Sequence, residues 1–83
     1  MRAPSDRDRD IAADWPIYST KIRKVARAYK QKETLLVLKG RAVVTCVGIP
    51  ETELKFDDLA TIPRGAECEW DVKEPMMMHY MFH

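Results

Sequence analysis

Glycine, histidine and cysteine are scarce in this chain of 83 residues, which has three, two and two of them. Gly40, Gly48 and Gly65 stand alone, so no glycine-rich loop is present to cradle a phosphate. His79 and His83 form no HExxH unit, and no Ser-His-Asp order carries meaning. Cys46 and Cys68 form no CxxC unit and define no metal-finger spacing. No apolar run is long enough to span a bilayer, and the residues after Met1 lack the apolar stretch of a signal peptide. Neither sign of charge predominates. Fourteen Lys and Arg stand against 13 Asp and Glu, a net charge of +1 that gives no general pull toward nucleic acid or an anionic membrane. What remains is one small domain, expected in the cytoplasm. There its thiols stay reduced and pack as small hydrophobes, although a sheet could also bring them together.

The chain has enough apolar material, 46%, for a packed core. Residues 1–10 contribute little to it. Arg2, Ser5, Asp6, Arg7, Asp8, Arg9 and Asp10 alternate in charge and predict a flexible arm, with a single domain over 11–83. Trp15, Pro16, Ile17 and Tyr18 then form an apolar anchor that seals one end of the core. Residues 19–32 read in two ways. Ile22, Val25, Ala26 and Tyr29 fall at helical spacing, and the basic residues Lys21, Arg23, Lys24, Arg27, Lys30 and Lys32 crowd the other faces. Read with period two, Val25, Arg27 and Tyr29 share one strand face.

From residue 33 the pattern is β throughout. Residues 33–47 are two Val-, Leu- and Thr-rich arms around Gly40, the pattern of a hairpin. Short strands follow between turns at residues 48–51, at Asp57 and Asp58, at Pro63 to Gly65, and at Lys73 to Pro75. Cys68, Trp70 and Val72 alternate with Glu67, Glu69 and Asp71, which is a strand with one wet face. Met76, Met78, Tyr80 and Phe82 share one side of a last strand. Six or seven short antiparallel strands at this spacing predict an all-β sandwich or barrel.

Glu33 followed at seven residues by Gly40 resembles the end of the first cupin motif. Asp58, Pro63 and Gly65 match the second, with Asp57 where the turn glycine is usual and Cys68 where the ligand histidine falls. With Trp15-Pro16-Ile17, Glu67-Cys68-Glu69-Trp70, Glu74-Pro75 and His79-Tyr80, the chain resembles small single-domain cupins. These are grouped with the cupin domains of ethanolamine-utilisation and ureidoglycine-processing proteins and their stand-alone members. The resemblance implies a small jelly-roll β-barrel of the RmlC-like type, a strand rather than a helix over residues 23–28, and a homodimer paired through sheet edges. It also implies a barrel site that in metal cupins holds Fe, Mn, Ni or Zn on three histidines and a glutamate. Here residues 25–32 hold no histidine, and the positions of Met77 and Met78, usually basic in those relatives, are apolar.

The expected function is therefore small-molecule binding inside the barrel without a complete metal centre. Tyr29, Glu33, Cys68, Trp70 and His79 are its expected lining. One alternative is an enzyme. It would use a divalent metal on Glu33, Cys68 and His79, or metal-free chemistry in which His79 moves a proton and Glu33 orients or accepts it. Another is a binding protein that meets an anionic partner through the basic run from Lys21 to Lys32. His83, at the end of the chain, is expected to fray.

Overall fold

The computed structural model describes residues 3–83. Its first element is a helix, α1 (Asp6–Ala12), which begins within the stretch 1–10 that the sequence predicts to be a flexible arm and whose first two residues lie outside the described ones. Local capping accounts for the difference. The Asp8 N–H donates to the Ser5 hydroxyl at 3.2 Å, and the Asp8 carboxylate accepts the Ser5 N–H at 2.9 Å. This reciprocal pair satisfies two end donors, and Asp6 and Asp8 complement the positive end of the helix. Two tertiary contacts tie the helix down. Ala12 is fully buried with Leu36 and Leu59, and Arg9 grips both oxygens of Asp57, at 3.2 and 2.5 Å. Asp57 itself adopts a left-handed φ of 68°, a conformation that aspartate tolerates better than most side chains.

Six strands follow: β1 (Ile17–Thr20), β2 (Arg23–Ala28), β3 (Glu33–Cys46), β4 (Ile49–Lys55), β5 (Leu59–Ile62) and β6 (Glu67–Phe82). They make a small all-β jelly-roll barrel whose spine is the antiparallel pair β3 and β6. β6 carries β1 along residues 76–79 and β2 along 67–72, while β3 carries β5 along 33–36 and β4 along 41–46. The middle of the basic run, residues 23–28, is thus a strand, because those residues have β6 to pair with.

Two expected turns are absent. Gly40 does not end a hairpin arm, and Lys73 to Pro75 do not separate two strands; β3 and β6 run through them for 14 and 16 residues. The two sites lie against each other. A Cβ on Gly40 would run into the Pro75 carbonyl and lie 2.8 Å from the Met76 Cα, and Gly40 has a φ of +90°. No other residue fits there. The β3–β6 register shifts at this crossing, between Val37 and Ala42. Before it Leu35 and Val37 face the core; after it Ala42 and Val44 do.

The main core joins these residues to Tyr29, Leu54, Ile62, Trp70, Val72, Met76 and Met78. A smaller core lies on the other side of the sheet, where Ala12, Leu36 and Leu59 pack with the half-buried Trp15. Ile17 and Tyr18 stay exposed, so only Trp15 of the predicted anchor seals anything. Cys46 and Cys68 are opposite each other in the register and are joined by a disulfide, not left as free thiols. His83 is held rather than frayed. Its backbone exchanges hydrogen bonds with Lys32, and its ring Nε2 lies 2.8 Å from the Thr34 hydroxyl.

Candidate functional site

The alternation of β2 sends Val25 and Arg27 inward, and Tyr29 follows one step past the strand. The first residue of β3, Glu33, meets them from the side. From β6 come Trp70, Met78, Tyr80 and Phe82, all on its inner face. A cavity of about 290 Å³ opens here, lined by Arg23, Arg27, Glu33, Met78, Tyr80 and Phe82 together with Tyr18, Val25 and Leu35.

The polar groups of this mouth form a stack. The Trp70 indole N–H donates to the Tyr29 hydroxyl at 3.0 Å. The Arg27 guanidinium lies 4.8 Å from the Tyr29 ring centre and 6.0 Å from that of Trp70, where the ring faces attract a cation. Its Nη1 is 3.6 Å from Glu33 Oε1, close enough for attraction and too long for a hydrogen bond. Glu33 is 2% exposed, and its Oε1 has no hydrogen-bond partner. Burial pushes the Glu33 carboxyl above its ordinary range, against the charge of Arg27 and the Tyr29 hydroxyl, which pull it down. Burial likewise pushes the Tyr29 phenol up to about 12, with Arg27 opposing.

Of the residues expected to line the pocket, Tyr29, Glu33 and Trp70 come together, but only Glu33 lines the cavity; Tyr29 and Trp70 are buried in the core beside Arg27. Cys68 lies in the same core, but its sulfur is bound to Cys46. His79 does not join them. It is on the outer face of β6, where Nδ1 lies 3.0 Å from the Trp15 carbonyl. A carbonyl only accepts, so this nitrogen carries the proton. The acid–base pair of His79 and Glu33 is therefore not assembled. Nor do the residues fit a divalent ion: Cys68 is spent in the disulfide, His79 faces away, and no group of three metal-ligating side chains occurs among the described residues.

Arg23, Arg27, Tyr80 and Phe82 are site residues that the sequence reading did not single out. For Arg27 a signal was present, since period two already puts it beside Tyr29. The basic run from Lys21 to Lys32 is not one surface: Arg23 and Arg27 line the cavity, while Lys24 lies opposite Asp71 in the β2–β6 register. No helix among the described residues is long and apolar enough to cross a membrane.

The profile of the EutQ-like cupin domain matches residues 7–80. No curated protein matches the chain in sequence. Among solved structures, the fold is similar to that of a DUF861 family protein from Thermotoga maritima. That likeness has 27% identity and a TM-score of 0.92, and it covers 99% of this chain and 96% of that one. It is also similar to the EutQ protein of Clostridium difficile, at 16% identity and a TM-score of 0.73, over 81% of this chain and 52% of that one. A putative ethanolamine utilization protein Q from Salmonella typhimurium gives 20% identity and a TM-score of 0.72, over 80% of this chain and 53% of that one. The chain thus spans about half the length of these two EutQ proteins, and at such identities the likeness is one of fold.

Proposed function

The chain belongs to the EutQ-like cupin domain family, and from that premise we propose that it binds a small molecule in the mouth of its barrel. The observation that carries this reading is Glu33 Oε1, a buried carboxylate oxygen without a hydrogen bond at the wall of an open cavity. Leaving a buried acceptor unpaired costs about 1–3 kcal/mol. The Arg27 charge 3.6 Å away offsets part of that cost, and a ligand that supplies an N–H or O–H recovers the hydrogen bond that Arg27 does not make. Tyr80 and Phe82, whose ring centres lie 5.7 Å apart at 66°, offer an apolar flank for a planar body beside that donor.

Benzamide has both features and serves as a probe. Titration of protein labelled at the methionine methyls is expected to move the Met78 signal saturably. In Glu33→Leu the affinity falls about tenfold, the worth of one charge-assisted hydrogen bond. An unchanged affinity in that variant overturns the reading.

The proposal includes a homodimer. β1 is paired with β6 on one edge only, and Ile17 and Ile22 beside that edge are exposed. A native mass of one chain would refute it.

A further inference from the structure

A second concave surface, of about 550 Å³, adjoins the mouth and is lined by Ser19, Lys21, Arg23, Lys39 and Met77, with Tyr18 at its border. Tyr18 and Arg23 line both cavities, so the two are adjacent. The register explains how three cations from distant parts of the chain meet here. Ser19 of β1 and Lys39 of β3 are both paired with Met77, one from each side of β6. β2 begins at Arg23 opposite Val72, which brings Lys21 and Arg23 to the same stretch of β6.

These cations are uncompensated. Among the described residues, none of Lys21, Arg23 and Lys39 has a carboxylate within 4.0 Å. The acids that flank the groove on β6 are already engaged. Glu74 accepts from Arg41 Nε at 3.1 Å, and Asp71 lies 2.6 Å from Lys73 Nζ. Three cations with no counter-charge, beside the Ser19 hydroxyl and an apolar Met77 floor, suit a compact anion carrying about two negative charges better than a neutral group.

We infer that this groove is an anion subsite and that the molecule bound in the mouth is a phosphomonoester with a planar apolar body. The phosphate would lie against Lys21, Arg23 and Lys39, and the ring would lie beside Tyr80 and Phe82. This inference rests on the mouth as a ligand site, and the test separates the two.

Phenyl phosphate, inorganic phosphate, benzoate and benzyl alcohol are titrated at fixed low ionic strength, where exposed charges are least screened. Phenyl phosphate is expected to bind at least tenfold more tightly than benzyl alcohol, and inorganic phosphate to compete with it. Lys21→Gln/Lys39→Gln, which alters two exposed side chains, lowers phenyl phosphate affinity about tenfold and leaves benzyl alcohol unchanged. Glu33→Leu does the reverse to benzyl alcohol and leaves inorganic phosphate binding intact. If Glu33→Leu affects no probe, the mouth reading fails while the phosphate result still stands on its own. Equal affinity of phenyl phosphate for wild type and the lysine variant overturns the subsite. Tighter binding of benzoate than of phenyl phosphate overturns the phosphate assignment. Tight, steeply salt-dependent binding of a single-stranded oligonucleotide through the same lysines overturns the small-ligand assignment.

Discussion

Glu33 and His79 sit on opposite faces of one β3–β6 pairing, and their surroundings differ in kind. On the outer face, helix α1 covers Leu36 and Leu59, and the His79 ring is bonded to the Trp15 carbonyl. The partner of the histidine there is one that the fold itself supplies. On the inner face, Trp70 donates to Tyr29, and the chain of polar contacts then stops at Glu33 Oε1. A satisfied polar residue beneath a cover is explained by stability alone. A buried carboxylate oxygen at an opening, with the Arg27 charge 3.6 Å away and no hydrogen bond, has room for a further donor, and that separates the histidine, which looked chemically more able, from the glutamate.

The largest break in this comparison is Trp70→Ala. It empties the centre of the inner face and strips Tyr29 of its donor, with an expected loss of about 3–5 kcal/mol in denaturant unfolding. Next comes the inner-face disulfide, which closes a separation of 22 residues. Cys46→Ser/Cys68→Ser is expected to lose about 3 kcal/mol, and wild type to fall by a similar amount in excess dithiothreitol. His79→Ala costs only about 1 kcal/mol, one neutral hydrogen bond. It leaves benzamide affinity unchanged; a tenfold loss of affinity would return His79 to the site.

The smallest and sharpest effect is in pH. Burial raises the Glu33 carboxyl from its ordinary 4.5, so in the interval just above that value the folded chain holds a proton that the unfolded chain has released. Wild-type stability therefore declines as pH rises through this interval, and the decline ends once the folded carboxyl too has ionised. Glu33→Gln removes that slope. Unfolding curves measured from pH 4 to pH 8 on both proteins check it, and parallel curves would show that Glu33 is not the buried acid described here.

The alternation of residues 67–72 sets Trp70 apart from the wet face of its strand, and that of 76–82 groups Met78 with Tyr80 and Phe82 on one side, although both faces there are apolar and the pattern alone does not say which is inner. Glu33 stood out through its spacing to Gly40. Three things were not legible. The arm over residues 1–10 looks unable to order when counted by apolar content, because an end cap and an ion pair to Asp57, 48 residues away, do not register in composition. His79 and Glu33 could not be assigned to opposite faces, since alternation relates residues within one strand, and only the β3–β6 pairing, with Glu33 opposite Phe82 and Leu36 opposite His79, relates the faces of the two. The Cys46–Cys68 pairing depends on the same register and was one of two open outcomes.

That shift carries a consequence for how the chain tolerates insertion and deletion. Gly40 works like a frameshift inside β3: odd residues look inward before it and even residues after it. Deleting one residue between Val37 and Ala42 would make the hydrophobic spacing of the strand perfectly regular from end to end. The altered sequence would read as a better strand than the natural one. It would also lose the bend that lets one strand serve β5 at its start and β4 at its end, so the more ideal sequence would be the one that no longer closes a barrel.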